Sequence, residues 1–102
     1  MKKLITAIAA TLSFNASAGM PCKDMHDVSV MIMEARQAGV PVTTSIDNLE
    51  KYGFEFMAGI ALLAYDEPRY STESMKQKSV TEFGNMIYVE CKKQEETPKA
   101  AG

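Results

Sequence analysis

Apolar side chains recur along this chain at steps of three and four, the repeat that gathers one stripe along an α-helix. Cys22, Met25, Val28, Ile32 and Ala35 set the first stripe, and Met31 widens it. Pro21 suits a first helical position, where its missing N–H would be unpaired anyway. Asp24 and Asp27 lie in the opening turns, against the positive end of the helix dipole. Gly39 and Pro41 stop the helix, which the pattern predicts over 22–38. Thr43, Thr44 and Ser45 offer caps for a second helix, with Asp47 three residues after Thr44. Leu49 and Tyr52 give that helix one short apolar face, and Gly53 ends or bends it.

Phe54 to Tyr65 reads differently, because its only charged residue is Glu55. A short apolar run also suits a buried strand, but alanine, leucine and methionine outnumber β-branched residues here, so helix is expected. A helix apolar on nearly all sides is normally buried. The stretch is therefore expected at the centre of the domain, with Leu62 in the core. Gly59, near Ala58 and Ala61, would let a neighbouring helix come close. Pro68 biases Glu67 away from helical angles and ends the third helix near Asp66. Ser71 or Thr72 then caps a last helix, with Glu73 in its first turn. Val80, Phe83, Ile87 and Cys91 share its inner face, Met86 broadens that face, and Lys92 and Lys93 suit the C-terminal end. Gly84 in mid-helix costs about 1 kcal/mol against alanine and argues against one unbroken rod. The fold class expected is all-α, a small bundle of about four helices over residues 19–94, with residues 95–102 a disordered tail.

The first eighteen residues stand apart. Lys2 and Lys3 precede an apolar run from Leu4 to Phe14, and Ala16-Ser17-Ala18 follows. Basic start, short apolar run and A-x-A ending predict a signal peptide over 1–18, cleaved after Ala18. The run is too short to span a bilayer, which takes roughly 20 residues. Cleavage leaves 84 residues, with two of the 11 Lys and Arg gone and all 13 Asp and Glu retained, for a net charge near −4. That balance argues against a nucleic-acid partner, whose binding domains are usually basic. No further run of 18 apolar residues follows, so no membrane insertion is expected after cleavage.

The chain has two cysteines, Cys22 and Cys91. An even count in an exported chain predicts one disulfide, closing a loop of about 70 residues worth roughly 4 kcal/mol by chain entropy. The bridge would join the start of the first helix to the end of the last and set the two antiparallel. Two free thiols, intermolecular pairing and lipidation at Cys22 are the alternatives, and Pro21 directly before the cysteine does not suit lipidation.

Candidate chemistry is sparse. His26, the only histidine, shares a helix face with Cys22 four residues earlier. Two ligands do not close a structural zinc site, so His26 reads as a surface residue in an acidic turn, able to act as a pH-sensitive group. No serine lies in a G-x-S-x-G setting, and there is no P-loop or dinucleotide fingerprint. No catalytic residue, metal or cofactor is expected. Seven methionines follow the leader, either filling gaps in a small core or forming an adaptable binding face. Met31 and Met33 straddle the first stripe, so at most one of them is well buried. The stretch AYDEPRYSTE, Ala64 to Glu73, gathers Tyr65, Arg69 and Tyr70 around a proline-fixed turn. Tyrosine and arginine are common anchors in interfaces, which makes these three a candidate partner surface. The plainer reading is a capped turn whose tyrosines pack on the core.

An early cysteine, EARQAGVP after the first helix, AYDEPRYSTE before the last and a cysteine near the end give an order of elements that resembles a group of small secreted proteins of Gram-negative bacteria and their prophages. The resemblance covers about Cys22 to Cys91. It implies periplasmic residence and a helical, one-disulfide fold, and no activity, since the group has none established. A looser similarity, in plan alone, is to periplasmic acid-stress chaperones. The function expected is a periplasmic, non-enzymatic interaction protein acting on an envelope or phage-related partner, with an acid-stress chaperone as the alternative.

Overall fold

A computed structural model describes residues 20–96. Four α-helices and one short 3₁₀ turn account for most of them: α1 (Cys22–Gln37), α2 (Val42–Lys51), the 3₁₀ turn (Glu55–Met57), α3 (Ala58–Asp66) and α4 (Glu73–Glu96). No strand occurs among the described residues, which form an all-α domain. No helix among them is long and apolar enough to cross a membrane. The expected leader, 1–18, and the last part of the expected tail, 97–102, lie outside the described residues.

Both ends of the first connection are set by backbone chemistry. Gly39 adopts φ 89°, and the amides of Gly39 and Val40 return to the carbonyls of Arg36 and Ala35, each at 3.0 Å. This is a Schellman motif, which needs a residue at positive φ and so favours glycine. It delivers the chain to Pro41 in an extended conformation, and the Pro41 carbonyl accepts from the amides of Thr44 and Ser45 at 3.0 and 3.2 Å. The second helix therefore starts at Val42, ahead of the expected threonine and serine caps. Thr43 and Thr44 are exposed within it, no side chain caps it, and Ser45 turns inward. A second Schellman motif closes α2: Gly53, at φ 82°, bonds to the Glu50 carbonyl, and the Phe54 amide reaches the Leu49 carbonyl at 2.7 Å.

The apolar stretch after Gly53 departs from expectation in two respects. It is a 3₁₀ turn followed by a nine-residue helix, and that helix is buried on one face only. Met57, Ile60, Ala61 and Ala64 are in the core, whereas Leu62 is 58% exposed and Leu63 also faces solvent. Gly59 is exposed as well. A domain this small has too much surface for its volume to wrap a helix on all sides. Isolated surface leucines cost little.

α4 runs unbroken for 24 residues. The Thr72 hydroxyl accepts from the Met75 amide at 3.2 Å and caps it, and it continues through Glu95 and Glu96, beyond the expected boundary. Gly84 has the role that Gly59 was expected to have. A Cβ there would stand 2.7 Å from Val30 Cγ2 and 3.0 Å from His26 Nε2, so its absence lets α1 and α4 pack closely. Val80, Phe83, Ile87 and Cys91 form the inner face, as the spacing predicts, while Met86 is exposed. Cys22 and Cys91 are bonded, with Cα atoms 5.6 Å apart. This joins the first turn of α1 to the last turns of α4 and leaves the two helices antiparallel. Met25, Met33 and Met57 are fully buried, so methionines fill much of the core, and Met31 is 65% exposed on the other side of the stripe.

Candidate docking surface

The far end of the α1–α4 pair is organised by Gln37, which is 3% exposed. Its Oε1 accepts from the Tyr70 amide at 2.8 Å, and its Nε2 donates to the Pro68 carbonyl at 2.9 Å. Its own carbonyl, at the last turn of α1, accepts from Arg69 Nε at 3.1 Å and Lys76 Nζ at 2.8 Å. Cations there also oppose the negative end of the helix dipole. Arg36 adds two bonds to the Glu67 carbonyl, at 3.0 and 2.9 Å, and its guanidinium lies 5.3 Å from the centre of the Tyr65 ring. The Tyr65 hydroxyl donates to the Val40 carbonyl at 2.7 Å and accepts from Ser45 at 2.8 Å. The segments EARQAGVP and AYDEPRYSTE thus dock on each other. Of the three candidate surface residues, Tyr65, Arg69 and Tyr70, the Tyr65 hydroxyl, Arg69 Nε and the Tyr70 amide are all engaged within the fold.

At the other end, His26 Nδ1 lies 2.9 Å from Asp27 Oδ1, a pairing that puts the proton on Nδ1, and the ring meets Tyr88 edge-on at 6.2 Å. This hydrogen bond first, and Lys23 Nζ at 3.3 Å second, hold the Asp27 carboxyl below the usual aspartate range. Cys22, Cys91 and Glu95 form the one cluster of metal-ligand types among the described residues. Both sulfurs are in the disulfide. Neither can act as thiolate ligand or thiol donor, so the 3.2 Å approach of Glu95 Oε2 to Cys22 Sγ is a contact only.

An open apolar cleft of about 220 Å³ lies between α1 and α2. Val28, Ile32 and Ala35 form one wall; Leu49, Tyr52 and Phe54 form the other, and Met31 stands at the lip. Two local features create it. α2 leans mainly on α3 and the 3₁₀ turn and touches α1 only lightly, so the two walls stay apart. The Schellman turn at Gly53 folds Phe54 back beside Leu49, where the Phe54 ring stands edge-on to Phe56 at 6.2 Å. Tyr52 is 68% exposed, and the Lys51 ammonium lies 5.9 Å from its ring centre. Two further depressions are lined largely by polar or charged side chains. The α1–α2 cleft is the most apolar of the three.

No family model matches this chain, and no curated protein or solved structure resembles it to a significant degree.

Two features escaped the sequence. Gln37 had a visible signal: Cys22, Met25, Ser29, Met33 and Gln37 step by three and four, so a polar residue lies on a buried stripe. The cleft had none, because it depends on how far α2 leans from α1.

Proposed function

We propose that this protein is a small, exported, non-enzymatic interaction protein of the periplasm, acting on an envelope or phage-related partner through the α1–α2 cleft. One observation carries the reading: a mostly apolar cleft with a large methionine and a tyrosine left exposed at its mouth. Exposed apolar surface of that kind marks interaction sites, and flexible methionine suits adaptable contacts. At about 220 Å³ the cleft is below the size of a typical small-molecule pocket, which starts near 300 Å³. It suits a few inserted side chains better than a metabolite. The leader-like residues 1–18 support export, and a disulfide persists in an oxidising compartment.

The test is a photo-crosslinking amino acid placed at Tyr52 in living cells, with a control at exposed Asn85 on α4. One discrete adduct specific to position 52, in material that begins at Gly19, is the expected result. Equal capture at both positions, or none, would remove the cleft from consideration. The acid-stress chaperone remains a second reading, because Leu62, Leu63, Met75, Met86 and Val89 are also exposed. It requires apolar dye binding to rise steeply between pH 7 and pH 2, whereas a single-site interaction protein keeps its fold and its specific partner at neutral pH.

A further inference from the structure

Resting on that reading of the cleft, we infer that the partner inserts an amphipathic helix whose apolar stripe is bordered on one side by lysine or arginine. The shape comes first. Val28 and Ala35 are seven helical steps apart, about 10 Å along α1, so the cleft has room for anchors spaced i, i+3 or i+4 and i+7 on a helix laid between two others. The charges come second. Asp24, Asp27 and Glu34 stand at −7, −4 and +3 from Met31, so helical geometry sets all three along its edge of the cleft. All three are exposed, and Lys23, paired with Asp27, offsets one of them. The facing edge, on α2, carries Thr44, Asn48 and Lys51. One lip is thus acidic and the other carries a single cation, which fixes the side on which a docked helix places its positive residues.

The same charges disfavour other occupants. A fatty acid or an anionic lipid would bring its carboxylate or phosphate against the acidic lip. A second copy of the chain, at a net charge near −4 after leader removal, would add repulsion to any pairing of these faces.

The experiment uses synthetic helical peptides with one leucine stripe, one bordered by lysine and its twin by glutamate, titrated into the disulfide-intact protein by fluorescence anisotropy. The lysine peptide is expected to bind at least tenfold more tightly, with an advantage that shrinks as salt rises. The triple variant D24N/D27N/E34Q should lose most of that advantage while staying folded, with a melting temperature only a few degrees lower. Met31→Ser together with Tyr52→Ser should weaken both peptides. Equal affinities for the twins, a triple variant that keeps the full advantage, or tight binding of a lysine peptide with an alanine stripe would each overturn the inference. Of these, equal affinities that fall together in the M31S/Y52S variant would leave the cleft as a docking surface and reject only the charge argument. Self-association of the protein alone that M31S/Y52S abolishes would give the cleft to a second copy, and tighter binding of anionic vesicles than of the lysine peptide would give it to a lipid. Either result overturns the inference.

Discussion

The two halves of this molecule are held together by different means. α1 and α4 are long, pack antiparallel, and are joined at both ends: by the Cys22–Cys91 bridge at one, and by the bond from Lys76 to the Gln37 carbonyl at the other, where Gln37 also holds the segment leading into α4. Gly84 removes the side chain that would keep them apart. α2 and α3 are short, end without covalent ties, and depend on a Schellman turn and the Ser45–Tyr65–Val40 relay. Their apolar residues are divided between the core and solvent. A covalently tied pair thus carries one held by packing and hydrogen bonds alone, and the cleft lies along the seam where α2 meets α1 only lightly. Binding surfaces are commonly drawn from such less tightly held regions on a stable scaffold.

The largest expected effect comes from removing the covalent tie. Cys22→Ala with Cys91→Ala should lower the unfolding free energy by about 4 kcal/mol, measured by urea denaturation. A loss below about 1 kcal/mol would mean that α1–α4 packing holds that end without the bridge. Within α3 the contrast is between two faces of one helix. Ile60 is buried to 1% exposure, and Ile60→Ala should cost about 2–5 kcal/mol. Leu62→Ala, on the outer face, should cost less than about 1 kcal/mol in the same measurement. Equal costs would restore Leu62 to the core and erase the distinction between the halves. Tyr65→Phe tests the relay: it leaves the Val40 carbonyl and the Ser45 hydroxyl without their partner and should cost about 1–2 kcal/mol. Adding Ser45→Ala should recover part of that loss, since the orphaned hydroxyl goes with it. No recovery would show that the hydroxyl finds water instead.

Legibility from sequence follows the same division. α1 and α4 were readable because each has a polar outer face that makes its apolar stripe visible, and because the cysteines at their ends fixed the direction of packing. The Thr72 cap and the break near Asp66 were readable from local chemistry alone. α3 was readable as a helix, but its orientation was not. When nearly every position is apolar, periodicity carries no information on which face is inside, and Leu62 and Ile60 look alike. α2 starts earlier than the three good capping residues predict, because Pro41 is extended and its carbonyl already accepts the first helical bonds. Tyr65, Arg69 and Tyr70 stand out in the sequence by residue type, but each is tied to a different atom of another segment. Their partners in EARQAGVP lie more than twenty residues away, and local sequence gave no indication of them.

The smallest expected effect is at the open, acidic start of α1, where a hydrogen bond affects charge without appreciably affecting stability. The Asp27 carboxyl is lowered chiefly by His26 Nδ1 and then by Lys23. A carboxyl lowered in the folded state favours folding above its unfolded-state value, and that contribution is lost as pH falls through the folded value. The side chains here are solvated, so the quantity to follow is the titration itself, by NMR of the Asp27 carboxyl carbon. His26→Ala should raise its midpoint toward the ordinary aspartate value, and Lys23→Ala should raise it by less. The reverse order would make the ion pair with Lys23 the stronger restraint. His26 would then serve chiefly to pack between Gly84 and Tyr88, where α1 and α4 meet.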